Sequence, residues 1–574
     1  MRYILDMVHH NPGEPPFQTR FSDPAHLVDY GFNGQVFKHI NCIATFAATG
    51  VDCFPPGSPE RAWLDAFTPG IEREIARAKA QGLKVFYHLD LFVLPRRLVE
   101  HFQEEICDPA TGRIRLDHPR TLELHAILFA ELYKRFPQVD GYIIRVGETY
   151  LFDTPHHVGN SPIPRLGPAW TPDYLYAETL AGEEPAEPRW SRQQVDAYVK
   201  LLRFLREEIC VRHGQQVFFR TWDIFPDKLH ARPDHYLEVV NEVEPHPRLA
   251  FSIKHTALDF WRRVKVNECL GQGEHPQIIE VQCQREYEGK GAYPNYVMDG
   301  VINGFEENLR PAGLKDWLAN PKIVGVYSWS RGGGWYGPYL QNELWPDLNA
   351  YVLAGFVKNP NRPESAYFRE YARERLSLPD EAVEEFRQLC LLSAQAVLLG
   401  RHCAVFDAAL AESVLPTVCW MRDDRLGGEV QLKFVLDYLR TRGLEAEALA
   451  EKLHAVRLWE QIQNLAEQLA WPDRQLGEVV TVSVAYGRLL FSIIHEGWRA
   501  LIAGAKGDRT EFGAAAAQYE HYWHEYRALQ HLPGCASLYE GRYFNLPGTP
   551  VVPGLDASIE GYRQQFAQPE KLNI

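Results

Sequence analysis

Residues 121–146 read TLELHAILFAELYKRFPQVDGYIIRV, and this stretch carries the pattern that decides the fold. Apolar residues recur at helical spacing over Thr121–Phe136. The run Gly141–Val146 (GYIIRV) is short and rich in β-branched and aromatic residues. Such a run is too short for a confident helix and is typical of a buried strand. The stretch therefore predicts a helix followed by a strand.

Seven more runs of this kind lie within the first 330 residues, and helical patterns such as Pro69–Gln81 separate several of them. In chain order, the eight predicted strands are Tyr3–Val8, Gly34–Lys38, Leu83–Leu89, Gly141–Val146, Gln216–Thr221, Leu249–Lys254, Gln277–Gln282 and Ile323–Ser328. Strands that alternate with helices form βαβ units around a parallel sheet. Eight such units predict an α/β fold of the (β/α)8 barrel type. An open doubly wound sheet is the alternative, but the first strand lacks a GxGxxG turn.

The pattern changes after Trp345. Long helical periodicities such as Asp380–Leu399 and Glu445–Leu469 then dominate, with few strand candidates. We expect a catalytic barrel over residues 1–345 and a mostly helical C-terminal domain with an irregular tail over residues 346–574. Residues 150–190 are rich in proline and predict a long loop after strand four, of a length that is usually functional or mobile.

Composition limits the classes of function. The 574 residues carry 60 Lys and Arg against 75 Asp and Glu, a net charge of −15, which argues against a nucleic-acid partner. No window of 18 uninterrupted apolar residues predicts a membrane span. Ten cysteines without a CxxC pair suggest neither a zinc ribbon nor a disulfide framework. The N-terminus lacks a signal-peptide core, so we expect a cytoplasmic enzyme, although removal of a signal would leave the same picture. Homo-oligomerisation stays open.

Polar or aromatic residues stand at the carboxyl ends of all eight predicted strands, where the site of such a barrel lies. In chain order they are His9 and His10, His39 and Asn41, His88 and Asp90, Arg145 and Glu148, Arg220 and Asp223, Lys254 and Asp259, Gln282 and Glu286, and Trp329 and Arg331. Each must be solvated or paired. The run Gly332–Gly334 lacks the Lys-Ser/Thr of a phosphate loop and is interpreted as room for a ligand against Trp335.

Two carboxylates suggest acid–base chemistry. Glu148, just past strand four, could protonate a glycosidic oxygen if burial raises its pKa. The alternative is a loop glutamate bound to a helix N-terminus. Glu280 stands in mid-strand, where a place in the barrel lumen, paired with Lys254 or an arginine, is more natural than the outer face. A strand-four acid with a strand-seven carboxylate is common among barrel glycosidases, and a buried structural ion pair is the alternative for Glu280.

Three cations, Arg145, Arg220 and Lys254, are expected to converge on the same mouth. They could balance the site carboxylates or bind a carboxylate of the substrate. A metal-dependent sugar isomerase or epimerase built from His39, His88 and Asp90 is a further hypothesis. The sequence has no HxH or HExxH motif, so we expect neither a metal nor a cofactor.

Residues 253–260 (IKHTALDF) and 278–289 (IIEVQCQREYEG) resemble strands six and seven of the microbial α-glucuronidases, glycoside hydrolase family sixty-seven. That family has a lysine five residues before a catalytic aspartate, followed by E-x-Q-x-x-x-E-Y-x-G. The strand-five arginine, the segment GYIIRVGE (141–148) and WYGPYLQNELWPDLNAYVLAGFVKNP (335–360) are similar as well. The family places a β-rich domain before its barrel, whereas this predicted barrel starts almost at Met1.

The resemblance implies an inverting glycosidase that releases glucuronic acid, or a related uronic acid, from α-linked uronosides of plant or microbial polysaccharide fragments such as xylan. Glu148 would be the general acid, and Asp259 and Glu286 would position and deprotonate water. Lys254, Arg220 and Arg145 would hold the glucuronate carboxylate. The further predicted substrate contacts, which come from the residues themselves, are Glu280, His39, His88, Trp329 and Trp335. The alternative within this class is a retaining glycosidase with Glu148 as acid/base and Glu280 as nucleophile.

Overall fold

The computed structural model describes residues 1–10, 17–109, 112–147, 151, 154–160, 190–222, 226–307, 312–334, 338–406, 429–539, 543–544, 552–553 and 555–567. Eight strands, β1 to β8 in chain order, form its centre: Tyr3–His9, Gly34–Lys38, Lys84–Asp90, Gly141–Arg145, Gln216–Arg220, Leu249–Lys254, Gln277–Gln282 and Ile323–Gly332. Each strand pairs in parallel with its neighbours in sequence, and β8 pairs with β1. The predicted closed barrel is confirmed; the main difference is β8, which continues to Gly332.

Helices follow the strands and cover the outer wall of the barrel. They are α1 Pro24–Tyr30, α2 Pro59–Ala80, α3 Arg96–Ile106, α4 Pro119–Arg135, α5 Arg192–Leu205, α6 Pro233–Val240, α7 Met298–Asn303 and α8 Leu314–Trp317. In α4, the residues Leu124, Leu128 and Leu132 recur every four positions and are buried, as the helical spacing of the sequence predicts. The side chain of Ser58 caps α2 by accepting a hydrogen bond from the Arg61 N–H.

The C-terminal region is helical, as predicted. Its helices are α9 Leu344–Lys358, α10 Glu364–Glu370, α11 Asp380–Arg401, α12 Glu429–Arg442, α13 Glu445–Gln468, α14 Arg474–Lys506, α15 Arg509–Ala528 and α16 Leu555–Ala567. Among the described helices, α14 is long and apolar enough to cross a membrane, but 67% of its apolar window is buried inside the fold. That burial marks α14 as a core helix. The boundary predicted at residue 345 stays a prediction.

Short elements complete the described chain. Short helical turns of 3-10 or π type lie at Arg20–Ser22, Ile40–Ile43, Ala47–Thr49, Arg206–Arg212, Pro226–His230, Tyr371–Arg375 and Leu529–His531. Leu94–Pro95 pairs with His157–Val158, and Tyr543–Phe544 pairs with Val552–Pro553, both antiparallel. Most of the loop predicted at 150–190 lies outside the described residues.

A separate apolar cluster fills the lumen of the barrel. All eight strands contribute to it, through Tyr3, Leu5, Met7, Val36, Phe86, Ile143, Phe218, Ala250, Ile278, Tyr327 and Trp329. The larger cluster lies on the other face of the strands and includes the helices. Because side chains alternate along a strand, the cluster identifies which residues point inward. We call this lumen cluster the apolar plug. Inward residues nearer the carboxyl ends of the strands lie above it.

Closure of the barrel depends on close contact between β8 and β1. A Cβ atom on Gly325 would lie 1.9 Å from the carbonyl oxygen of Tyr3, which is far too close for any side chain. The pairing shifts between Asp6 and Val8, and the Ser330 N–H there donates to the Asp6 carboxylate at 3.1 Å. This irregularity lets β8 continue to Gly332, at the mouth of the barrel.

We expect Gly325→Ala to lower the midpoint of thermal unfolding by several degrees, because the new methyl group would push β8 away from β1; such overpacking costs about 1–3 kcal/mol. The matched control is Gly70→Ala in α2, where a Cβ atom meets nothing within 4 Å. There alanine should stabilise the helix, by roughly 0.5–1 kcal/mol. Calorimetry of both variants makes the comparison, and a harmless Gly325→Ala would contradict this account of closure.

Candidate functional site at the barrel mouth

A ring of polar side chains lies above the apolar plug. Alternation places these residues two or four positions after inward apolar residues: His9 after Met7, His88 after Phe86, Arg145 after Ile143, Arg220 after Phe218, Lys254 after Ala250 and Gln282 after Ile278. All six polar residues are buried. The strand directions therefore bring the three cations Arg145, Arg220 and Lys254 to the same end of the barrel.

Arg145 is held by the neighbouring strand. Its Nε and Nη2 atoms donate to the two carboxylate oxygens of Asp90, at 2.6 and 2.9 Å. Such a two-bond pair fixes the plane of the guanidinium as well as its position. Asp90 is therefore a partner of Arg145 in this structure.

Arg220 is paired with Glu280, which settles the partner predicted for that glutamate as an arginine. The Nε atom of Arg220 lies 3.0 and 3.1 Å from the two oxygens of Glu280, and Ser252 Oγ donates to Glu280 at 2.8 Å. Both charged side chains are at most 1% exposed. The guanidinium lies 5.0 Å from the ring centre of Trp329, a cation–π distance. Glu280 thereby positions Arg220 over Trp329.

Lys254 contacts Asp259, its partner five residues later. Its Nζ atom donates to Asp259 Oδ1 and lies 3.6 Å from the ring centre of Trp222. Lys254 is 1% exposed, whereas the Asp259 side chain is 19% exposed. Asp259 is thus held by a buried ammonium and remains partly exposed.

Two histidines on the inward face are electrically neutral. Burial lowers the pKa of His88 well below its ordinary value, and the nearby cations Arg145, Arg220 and Lys38 lower it further. Burial and Lys38 depress the pKa of His9 in the same way. The His9 ring stacks on Trp329 with centroids 5.1 Å apart. A neutral imidazole offers one donor and one acceptor, which suits a hydroxyl group.

Three residues at the mouth carry polar atoms without a hydrogen-bond partner among the described residues. These atoms are both ring nitrogens of His88, Nε1 of Trp329 and Nε2 of Gln282. A buried donor or acceptor left in that state costs about 1–3 kcal/mol. These atoms are therefore suited to bind the hydroxyl groups of a ligand.

Glu286 lies in the loop after β7. Its backbone N–H donates to Gln282 Oε1 at 2.6 Å, which ties the start of the loop to the end of the strand. A Cβ atom on Gly333 would lie 2.7 Å from Glu286 Oε2 and 2.4 Å from Gln282 Nε2. Gly333 also has a φ of +98°, a backbone conformation that favours glycine. The glycine run thus lets the end of β8 approach Glu286 closely.

Some predicted residues cannot be placed in this arrangement. Glu148, Asp223 and Trp335 lie outside the described residues. His39 follows β2 with a left-handed backbone (φ 68°), and its ring centre is 6.5 Å from that of Phe67. Within the described ranges, no group of three or more His, Cys, Asp or Glu side chains could hold a metal ion.

Sequence reasoning missed two contributors to the mouth. Trp222 lies beneath Lys254, and Lys38 acts electrostatically on both His9 and His88. Alternation could have identified Lys38, since it follows the inward residue Val36 by two positions. Trp222 lies two residues beyond the end of β5, where the alternation of a strand no longer has to hold.

No protein-family model matches this sequence, and no curated protein matches it either. Membership of the α-glucuronidase family therefore stays a prediction. Among solved structures, the chain is similar to a GH138 enzyme targeting pectin rhamnogalacturonan II, with a TM-score of 0.51 and 11% identity. The match covers 98% of this chain and 66% of the GH138 enzyme, so this chain spans about two thirds of the length of that enzyme. At this identity the likeness shows a shared fold.

A second similar structure is an O-GlcNAc hydrolase of Thermobaculum terrenum, with a TM-score of 0.38 and 9% identity. The match covers 98% of this chain and 93% of that one. A TM-score this low supports no argument about the site.

We expect that Glu280→Gln destabilises the protein by about 3–5 kcal/mol, because it leaves the Arg220 cation buried without its counter-charge. The double variant Arg220→Met/Glu280→Leu removes both charges and should recover most of that stability. Thermal and denaturant unfolding of the two variants provide the measurement. If the double variant is less stable than the single one, the pair is more than a structural ion pair.

Proposed function

We propose that this chain is a glycoside hydrolase that removes a uronic acid from α-linked uronosides at the mouth of its barrel. The observation that carries the proposal is the buried polar ring above the apolar plug. It combines neutral histidines, the buried indole of Trp329 and fixed cations, the groups that recognise sugar hydroxyls and a sugar carboxylate. Two carboxylates, Asp259 and Glu286, follow the strands that carry this ring.

The cations support an acidic sugar even though each of the three has a carboxylate partner. A guanidinium carries five N–H donors, and one carboxylate uses two of them, so one arginine can serve two carboxylates. The two-bond ion pair with Asp90 fixes the plane of Arg145, and the contact of its Nε with Glu280 anchors Arg220 before a substrate arrives. Four cations lie on the inward face, counting Lys38 and Lys254, and gathering them is costly unless a bound anion or the site carboxylates neutralise them.

In the proposed mechanism, Glu148 donates a proton to the leaving glycosidic oxygen. Asp259, oriented by Lys254, and Glu286, fixed by its loop, position and deprotonate the attacking water. Attack from the face opposite the leaving group inverts the anomeric centre. The carboxyl groups of the two sides are then expected to be roughly 6.5–9.5 Å apart, which leaves room for the water.

The geometry of Glu280 favours inversion over retention. A nucleophilic carboxylate must reach the anomeric carbon of the sugar. Glu280 is fully buried, and its oxygens already accept hydrogen bonds from Arg220 and Ser252. That arrangement suits a residue that orients Arg220 better than one that attacks the substrate.

The test is a screen of α-linked uronosides beside the matching neutral hexosides, followed by proton NMR from the first minutes of reaction. We expect release of the uronic acid with the β-anomer formed first, because inversion of an α-linkage gives the β-sugar. The α-anomer as first product would indicate retention. Faster hydrolysis of the neutral hexosides would contradict the acidic substrate.

Glu148→Gln should lower kcat about 10²–10⁴-fold on substrates with poor leaving groups, since the amide cannot supply the proton. Substrates with activated aryl leaving groups should be affected far less, because they need little protonation. Glu123→Gln, at an exposed site on α4, is the matched control. Equal losses on both substrate types would show that Glu148 is not the general acid.

A further inference from the structure

The loop from residue 283 to 297, between β7 and α7, carries Glu286 and is buried along its whole length. Two of its non-glycine residues, Arg285 and Lys290, have left-handed backbones, with φ values of 59° and 49°. Such conformations persist only where surrounding contacts impose them. The position of Glu286 therefore depends on what packs around this loop.

One carboxylate within the loop, that of Glu288, contacts three parts of the chain. Glu288 accepts hydrogen bonds from the Arg262 backbone N–H at 2.6 Å, from Arg285 Nε at 2.8 Å and from His402 Nε2 at 3.3 Å. Its side chain is 1% exposed. Arg262 follows Asp259 by three residues, and His402 directly follows α11. We call this set of contacts the Glu288 junction.

The electrostatics make the Glu288 junction rigid. Burial alone would raise the pKa of Glu288, but Arg285, His402 and the Arg262 N–H together lower it to about 2. The carboxylate is therefore charged at any working pH. A buried charge whose partners come from three segments holds those segments at fixed distances, since losing one partner leaves the charge uncompensated.

We propose that Glu288 and His402 are positioning residues through which the helical region fixes Glu286 and Asp259 relative to each other. Glu288 lies two residues after Glu286, and it holds the segment that begins just after Asp259. The catalytic roles of these two carboxylates rest on the proposed function, whereas the Glu288 junction can be tested without it.

Other contacts between the loop and the helical region provide a control. At the far end of the loop, the Tyr296 N–H donates to Ser393 Oγ at 3.3 Å. Ser393 lies on the same helix as Arg401, the neighbour of His402. Ser393→Ala thus loosens the same interface without touching the Glu288 junction.

The first experiment compares full-length wild type with His402→Leu, His402→Gln and Ser393→Ala by hydrogen–deuterium exchange without substrate. His402→Leu should raise exchange about tenfold in residues 259–263 and 283–290, with the barrel strands unchanged. His402→Gln should restore much of the protection, because its side-chain amide can donate where Nε2 does. Ser393→Ala should affect the chain near Tyr296. If His402→Leu does not fold, Glu288→Gln, which keeps the shape and removes the charge, takes its place.

The second experiment measures kinetics on the uronoside that the wild type hydrolyses. His402→Leu should lower kcat about ten- to a hundredfold with KM within about twofold, since misplaced catalytic groups cost rate more than binding. His402→Gln should recover most of the rate, and Ser393→Ala should leave kcat unchanged. Unchanged exchange and kcat in His402→Leu, or the same kcat loss in Ser393→Ala, would overturn the inference. Altered exchange in a chain that hydrolyses no glycoside would instead refute the proposed function alone.

Discussion

The closed barrel imposes one constraint on everything else: half of each strand faces a lumen that is packed with side chains. Apolar residues from all eight strands fill its lower layers. A charged group that faces this lumen is costly to bury unless it has a partner of opposite charge. The pairs Arg145–Asp90 and Arg220–Glu280 follow directly from that requirement. The site is thus the part of the lumen where charges can be balanced.

The balance of charge determines what the mouth can recognise. Burial holds the pKa values of His9 and His88 well below the ordinary value, and the nearby cations lower them further, so both imidazoles are neutral. Neutral imidazoles can exchange hydrogen bonds with hydroxyl groups in either sense. The same cations are held in place by their carboxylates and could donate to an anion. One electrostatic arrangement would therefore serve both the hydroxyls and the carboxylate of the proposed acidic sugar.

Local patterns were enough to predict the barrel, because each strand is a short apolar run with its own alternation. The same alternation predicted that Glu280 points into the lumen, but not whether Lys254 or an arginine would reach it. Which residue reaches Glu280 depends on the stagger between neighbouring strands. Arg220 reaches it, and Lys254 contacts Asp259 instead. Trp222 and His402 were beyond prediction for a related reason. His402 contacts Glu288 although 114 residues of sequence separate them, and no local spacing predicts such a contact.

The C-terminal helices contact the loop that carries Glu286, and the sequence does not predict these contacts. A loop with left-handed residues at Arg285 and Lys290 would be strained on its own, and exposure to water would let it relax. Burial against α9 and α11 removes that freedom: Asn349 donates to the carbonyl of Cys283 at 3.0 Å, near one end of the loop. His402, directly after α11, contacts Glu288, two residues beyond Glu286. The barrel supplies the strand that aims Glu286, and the helices supply the contacts that keep it there.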